Sequence, residues 1–178
     1  NKKEVGMDEI LPSIEKVLLG PERKSHVLSL EERKVTAYHE GGHALVAHLL
    51  PHADPVHKVS IISRGRAAGY PIKLPLEDRQ MKTKASFIDE LAVLLGGQTA
   101  ERMAMGDITT GPSNDLREAT RIARKLITEY GMSDKLGPRT FGEHEEMVFL
   151  GRDMNSSRDF SEKMLETMDQ EILALVTQ

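Results

Sequence analysis

The sequence contains no cysteine in its 178 residues. A chain without cysteine forms no disulfide bonds and cannot hold zinc through thiolate ligands. This absence therefore excludes a disulfide framework and the thiolate class of zinc site. It is also compatible with a reducing compartment.

Long apolar runs and basic blocks are missing as well. No apolar stretch approaches the ~18 residues of a membrane span and no signal peptide opens the chain, so we expect a soluble segment. The net charge is −4 without a long basic run, which argues against a nucleic-acid partner. The chain opens at Asn1 in charged, helix-like sequence, and we expect it to be a piece of a longer protein.

The residues that are present predict one globular domain. Hydrophobic residues make up 39% and charged residues 29%, so residues 1–178 are expected to form a single domain with a buried core. Apolar periodicities predict a mainly helical architecture with one small β-hairpin. The predicted helices cover residues 7–18, 30–50, 82–105, 113–130 and 160–175, and the predicted strands cover residues 56–62 and 70–74. We interpret the apolar stripes of the first and last helices as core or interface.

Residues 37–44 carry the clearest chemical pattern, AYHEGGHA. Residues four apart on a helix differ by about 40° around its axis, so His39 and His43 project from one face, one turn apart. That separation suits two imidazole ligands of a tetrahedral metal ion, and Glu40 lies beside them without having to be a ligand. This is the HExxH arrangement, in which zinc lowers the pKa of a water molecule and the glutamate accepts its proton.

The flanks of this motif argue against a chance pairing of histidines. The predicted helix begins at an N-capping Ser29, with Glu32 completing a capping box, leads in with helix-forming residues 30–35, and continues as apolar sequence over residues 44–50 until Pro51. A polar His-Glu-His cluster in a largely buried helix is costly unless it is bonded or metallated. Each helical glycine costs about 1 kcal/mol relative to alanine. The pair at residues 41–42 therefore indicates a close approach, by a substrate or by another helix.

The third protein ligand is not specified by the motif alone. One subclass places a third histidine six residues after the second, with a glycine midway, but those positions hold Leu49 and Val46. The remaining histidines are on the wrong face, too near the helix break, or isolated: His26, His48, His52, His57 and His144. Downstream carboxylates are the other candidates: Asp89, Glu90, Glu101 and Asp115. Asp115 is attractive because it opens a helix after a Gly-Pro turn, although ordinary helix N-capping accounts for an aspartate there equally well.

The predicted hairpin follows the motif helix directly in sequence. An edge strand in that place can hold an extended peptide by strand addition and align a scissile bond with the metal. The same hairpin can equally serve as a small structural cap on the helices. Both interpretations stay open.

Five stretches of the chain together resemble one known family. They are residues 37–44, 56–62 (VHKVSII), 94–97 (LLGG), 109–116 (TTGPSNDL) and 129–133 (EYGMS). These stretches resemble, in the family's order, the protease domain of the FtsH family of ATP-dependent zinc metalloproteases. The likeness runs from about residue 6 to the end of the chain.

The resemblance implies a zinc site made by His39, His43 and Asp115, with Glu40 as the general base. It also implies that Glu101 is an acidic residue near the site that supports the ligands. Family members have a mostly helical protease domain that follows a membrane anchor and an AAA+ ATPase motor. ATP would bind only to that motor, because this chain contains no GxxxxGK[ST] phosphate loop.

The resemblance further implies a biological setting for the full-length protein. Family members assemble as homo-hexamers and degrade unneeded or misassembled membrane proteins and some soluble ones. The expected place is the cytoplasmic face of a bacterial inner membrane, or the organelle equivalent, reached only through the upstream anchor. The competing class is a non-catalytic helical oligomerisation module with a vestigial metal site. Glu40 distinguishes the two, because a structural site needs no carboxylate there.

Three features depart from the family's usual pattern. Gly41 stands where alanine is common, which should loosen the motif helix slightly. Pro71 occupies a position that is commonly threonine and removes one hydrogen-bond donor from the predicted second strand. The chain also ends at Gln178, short of the C-terminal helices that many members carry.

Overall fold

The computed structural model describes residues 4–19, 28–62, 70–73, 81–141 and 160–177. Within these ranges the chain forms five helices and one two-stranded sheet. The helices are α1 (Met7–Leu19), α2 (Leu30–Leu49), α3 (Lys84–Met105), α4 (Ser113–Thr128) and α5 (Glu162–Thr177), and the strands are β1 (Val56–Ser60) and β2 (Tyr70–Lys73). The prediction of a mainly helical fold with a small hairpin is confirmed.

None of the helices in these ranges combines the length and apolar character that crossing a bilayer requires.

Helix α2 begins at the predicted capping box. The Ser29 side chain accepts a hydrogen bond from the Glu32 backbone N–H at 3.2 Å, and the Glu32 carboxylate accepts one from the Ser29 N–H at 2.8 Å. Each bond satisfies a backbone donor that would otherwise have no partner. The helix ends at Leu49, just before Pro51. Its start and end are therefore set by local sequence.

Helices α2 and α3 approach each other at glycines. A Cβ atom placed on Gly42 would lie 2.4 Å from the carbonyl oxygen of Gly96 and 2.7 Å from the Cβ of Ala100. A Cβ on Gly96 would lie 3.0 Å from the carbonyl oxygen of Gly42. The two backbones therefore touch at a point where only glycine fits, so the close approach predicted for the glycine pair at residues 41–42 is made by another helix.

The apolar core lies on the other side of α3, where α4 and α5 pack. One cluster of buried residues consists of Leu91, Ala119, Ile122, Ala123 and Leu126, and a second of Ile127, Phe141 and Met168. Helix α5 contributes Met168 and the partly buried Ile172 and Leu175, as its predicted packing stripe requires. This core orients α4, whose first turn carries Asp115.

Helix α1 forms as predicted but does not join the core. It packs against none of the other described elements. Met7, Ile10, Ile14 and Val17 are exposed, with Val17 reaching 84%. Of the two alternatives predicted for this stripe, core or interface, the core is not formed in the described part of the chain, and the interface stays a prediction. The Gly-Pro stop predicted after it, at residues 20–21, lies outside the described residues.

The hairpin lies beside α2. Its strands are antiparallel, with Ser60 opposite Tyr70 and Val59 opposite Pro71, and both strands contact α2. The sequence also predicts a turn at residues 64–69, which lies outside the described residues. It predicts a loop over residues 132–155, of which residues 142–155 lie outside them. The hairpin is thus positioned next to the motif helix, as the sequence predicts.

Candidate metal centre

His39 and His43 lie on the buried face of α2 that meets α3. They are 9% and 5% exposed, and their rings meet edge to face with centroids 4.5 Å apart. The two Nε2 atoms are 3.0 Å apart. The one-turn spacing therefore places two ring nitrogens at a common point, as the motif predicts.

The other nitrogen of each ring is held by α3. His43 Nδ1 donates to the backbone carbonyl of Val93 at 2.7 Å, and His39 Nδ1 donates to Glu101 Oε1 at 2.8 Å. A carbonyl only accepts, so the proton of neutral His43 sits on Nδ1, and the carboxylate favours the same tautomer for His39. Both Nε2 atoms are thereby left with a free lone pair. These partners orient metal-binding histidines in the usual way.

Asp115 supplies the third corner from the first turn of α4. Its Oδ2 lies 3.2 Å from His39 Nε2 and 3.5 Å from His43 Nε2. The capping interpretation of Asp115 is wrong, because the N-cap residue is Pro112 and no side chain caps this helix. Asp115 instead faces the two histidines across the gap between α4 and α2.

The distances within this triangle suit a tetrahedral metal ion. Ligand atoms held 2.0–2.1 Å from a tetrahedral zinc ion lie about 3.3 to 3.4 Å from one another. The three separations found here are 3.0, 3.2 and 3.5 Å. With both imidazoles neutral, three acceptors face each other and no donor lies between them, an arrangement that a cation stabilises. His39, His43 and Asp115 are the one group in the described residues placed to hold a metal ion.

Electrostatics in the triangle favour an ionised Asp115 and a positive charge beside it. Burial opposes ionisation of Asp115, but when the facing ring nitrogens carry protons, hydrogen bonds and charge from His39 and His43 outweigh it and hold the pKa of that carboxyl far below its ordinary value. Burial also lowers the pKa of His39, yet the neighbouring carboxylates of Asp115, Glu40 and Glu101 raise it overall. The site is thus an anionic pocket that attracts a cation.

Glu40 lies beside the triangle without belonging to it. It is 5% exposed, and its Oε2 is buried without a hydrogen-bond partner among the described residues. Burial raises the pKa of its carboxyl above the ordinary value, although His43 and His39 oppose this rise. A buried carboxylate oxygen with no partner is costly unless a ligand or water meets it. Its position is where a proton acceptor next to a metal would stand.

Glu101 lies on the far side of His39 from the triangle and is 1% exposed. Its Oε1 accepts from His39, and its Oε2 accepts from the backbone N–H and the hydroxyl of Thr109, each at 2.9 Å. The supporting place implied for Glu101 by resemblance agrees with this geometry. Reasoning from sequence missed Thr109 and Val93. A threonine two residues before a Gly-Pro turn was a weak signal for Thr109, and a backbone carbonyl leaves no sequence signal for Val93.

The remaining candidates are placed elsewhere. Asp89 accepts a hydrogen bond from the backbone N–H of His52 at 2.9 Å, and Glu90 pairs with Lys82 at 2.9 Å. Three histidines of the described chain are exposed: His48, His52 and His57. His26 and His144 lie outside the described residues. Asp115 is therefore the carboxylate that packing brings to the histidine pair.

The fold and the site together define a class: a mainly helical metallopeptidase-type domain, with an HExxH helix and an aspartate from a second helix. The chain belongs to peptidase family M41, whose family model matches residues 26–178. The residues that model covers include the whole metal centre.

Individual relatives are similar over nearly all of the chain. The FtsH 1 ATP-dependent zinc metalloprotease of Sphaerobacter thermophilus is 54% identical over 176 residues, which cover 99% of this chain and 27% of the relative. The FtsH ATP-dependent zinc metalloproteases of Veillonella parvula and Slackia heliotrinireducens are 51% and 49% identical over 99% of this chain, and 27% and 22% of their own lengths are covered. The chain thus spans about a quarter of the curated relatives it matches.

Proposed function

We propose that this chain is the zinc-dependent endopeptidase domain of an FtsH-like ATP-dependent protease. The observation that carries the proposal is the triangle of His39, His43 and Asp115 with the buried, unpartnered carboxylate of Glu40 beside it. The names of the relatives, which are zinc metalloproteases, support zinc as the ion. A purely structural metal site gives no reason for a buried acid in the place of Glu40.

The protein residues would divide the work between binding and proton transfer. His39, His43 and Asp115 hold the ion, which supplies Lewis acidity and a water molecule whose pKa falls to about 7. Glu40 takes the proton of the attacking water and passes it to the leaving amine. Its raised pKa lies closer to neutral pH than that of an ordinary glutamate, which suits a group that must both accept and donate a proton.

The proposed substrate is an extended, unfolded polypeptide with loose sequence preference. The hairpin supports this proposal because β1 and β2 form a sheet of two strands in the described chain, so each strand has an outer edge. An extended peptide can add to such an edge through main-chain hydrogen bonds. A peptide could pair with either outer edge, but Pro71 offers no N–H on β2 and the pairing register of β1 shifts between Val56 and Lys58.

The full-length protein is proposed to work in a larger assembly. We propose that residues 1–178 are one protease domain and that the rest of the protein supplies an ATPase motor and a membrane anchor. The coverage of about a quarter of each relative leaves room for both. Homo-hexamers at the cytoplasmic face of a bacterial inner membrane, acting on misassembled membrane and soluble proteins, complete the proposal.

The test separates metal binding from proton transfer. Glu40→Gln should keep near-stoichiometric zinc and lower hydrolysis of an unfolded casein-type substrate by about 10²- to 10⁴-fold, because the base is lost while the ligands remain. Asp115→Ala should lose both zinc and activity. Glu31→Gln, which removes an exposed carboxylate from the first turn of the same helix, is the matched control and should change neither.

Metal analysis and the protease assay, with and without chelator, give the readouts. Unchanged zinc in Asp115→Ala would remove Asp115 from the site. Undiminished hydrolysis in Glu40→Gln would remove Glu40 as the base. Stoichiometric zinc without any peptide hydrolysis in the unaltered chain would favour the non-catalytic assembly module.

A further inference from the structure

A single carboxylate links the two helices that supply the proposed metal ligands. Glu101, on α3, accepts from His39 of α2 with one oxygen and from Thr109, in the turn before α4, with the other. Glu101 is almost fully buried. Because hydrogen bonds to a buried carboxylate are stronger than those between neutral groups, its partners fix where it lies.

Thr109 contributes more than its backbone to this link. Its hydroxyl donates to Glu101 Oε2 at 2.9 Å and accepts from the backbone N–H of Gly111 at 3.0 Å. A hydroxyl is the group that can do both at once. A continuous hydrogen-bonded chain therefore runs from Gly111, through Thr109 and Glu101, to the Nδ1–H of His39.

This series of hydrogen bonds joins the two sides of the site. At one end it holds the His39 ring with Nε2 toward Asp115, 3.2 Å away. At the other end it holds the turn that leads, through the buried Pro112, into the first turn of α4 and Asp115 itself. The orientation of a histidine on α2 and the placement of an aspartate on α4 are thus linked through Glu101 and Thr109, whose hydroxyl adds a second bond to the one that its backbone N–H makes.

We infer that Thr109 is a positioning residue for the metal centre: its hydroxyl, through Glu101, helps to hold His39 and Asp115 in the relative positions that bind the ion. The inference rests on the proposed zinc site. Partners of this kind behind a ligand typically contribute 10- to 100-fold in metal affinity. Thr109 acts one step further from the ion than Glu101, so the lower end of that range, about tenfold, is expected.

The experiment measures zinc affinity by competition with a chromophoric chelator in the full chain. Thr109→Val keeps the shape of the side chain and removes only the hydroxyl, and it should bind zinc about tenfold more weakly. Thr109→Ser restores the hydroxyl and should bind as the unaltered chain does. Thr110→Val is the matched control, the same exchange at the next residue, and should leave the affinity unchanged.

Two further measurements separate positioning from a loss of folding. The Co²⁺-loaded protein should show an altered visible absorption spectrum in Thr109→Val and an unaltered one in Thr110→Val, since the spectrum reports ligand geometry. Thermal unfolding of the metal-free proteins identifies any general destabilisation. Thr109→Ala, which removes the hydroxyl without adding a methyl group near the buried carboxylate, should reproduce the affinity loss.

Each outcome decides between separate claims. Absence of zinc binding in the unaltered chain would overturn the proposed metal centre itself. Zinc binding in the unaltered chain with equal affinity in Thr109→Val would overturn only the role of Thr109. An equal loss in Thr109→Val and Thr110→Val would likewise assign the effect to the turn as a whole and overturn the role of the hydroxyl.

Discussion

At the scale of single residues, two adjacent glycines in the motif have opposite surroundings. Gly41 is exposed, and a Cβ placed on it would meet nothing within 4 Å. Gly42 faces α3, where a Cβ would lie 2.4 Å from the Gly96 carbonyl oxygen. Neighbouring residues of one type thus have different reasons to be present, and only the second is required by packing.

This contrast gives the first stability prediction. Gly41→Ala should raise the free energy of unfolding by about 1 kcal/mol, because alanine is the better helix former and nothing obstructs its methyl group. Gly42→Ala should lower it by about 1–3 kcal/mol, because the overpacked backbone contact must open. Urea denaturation with a chelator present measures both, free of any contribution from metal.

Each variant serves as the control for the other. A destabilising Gly41→Ala would show that its open surroundings are filled by some other part of the protein. A neutral Gly42→Ala would show that the helix crossing adjusts without cost.

At the scale of elements, one carboxylate of α5 binds the segment after α4, in addition to the apolar contact between Met168 and Phe141. Glu171 accepts from the Ser133 hydroxyl at 3.0 Å and pairs with Lys135. The hydrogen bond from Lys135 holds the pKa of the Glu171 carboxyl below its ordinary value, assisted by Ser133 and opposed by burial. Since the folded-state pKa is lowered, this pair stabilises the fold above the unfolded-state pKa, and the contribution is lost as pH falls through the folded-state pKa.

The second prediction follows from that sign. Glu171→Gln should lower stability at pH 7 by about 0.5 kcal/mol, a small effect because Lys135 is largely exposed. The difference from the unaltered chain should shrink below about pH 4, where glutamate itself is becoming protonated. Denaturation curves at pH 7 and below about pH 4 measure this difference in stability. Glu166→Gln, an exchange at an exposed position on the same helix, is the control. An equal difference at both pH values would mean that charge is not what fastens α5.

At the scale of the whole molecule, the candidate metal centre joins parts of the fold that come from distant stretches of sequence. Helix α2 contributes the histidines and α4 contributes the aspartate, while α3 lies behind both and holds the outer ring nitrogens. An ion bound there would hold α2 and α4 together in addition to the apolar core. Stability of the chain should therefore depend on metal.

The third prediction concerns chelation. At a free zinc concentration about 100 times the dissociation constant, binding to the folded state alone contributes about 2.7 kcal/mol. For a chain of this size that raises the thermal midpoint by about 5–10 °C. Calorimetry with zinc and then with excess chelator should show the drop, and Asp115→Ala should show almost none. An equal drop in both proteins would place the stabilising ion elsewhere.

Much of the fold could be predicted from local sequence because its causes are local. The capping box at Ser29 and Glu32, the stop before Pro51 and the apolar periodicities each act within a turn or two of chain, and the corresponding elements form as predicted. The apolar stripe of α1 predicted a helix equally well. It did not predict what covers that stripe, because burial depends on a partner that periodicity does not name.

By itself, the sequence determined that His39 and His43 share one helix face with Glu40 beside them, since helical geometry alone relates residues four apart. Family resemblance pointed to Asp115, but spacing and composition left Asp89, Glu90 and Glu101 open. Only the tertiary structure decided among these, because the glycine crossing of α2 and α3 and the core beneath α4 set which carboxylate reaches the histidines. The same packing put Glu101 behind His39 and Thr109 behind Glu101, contacts between residues that no local pattern connects.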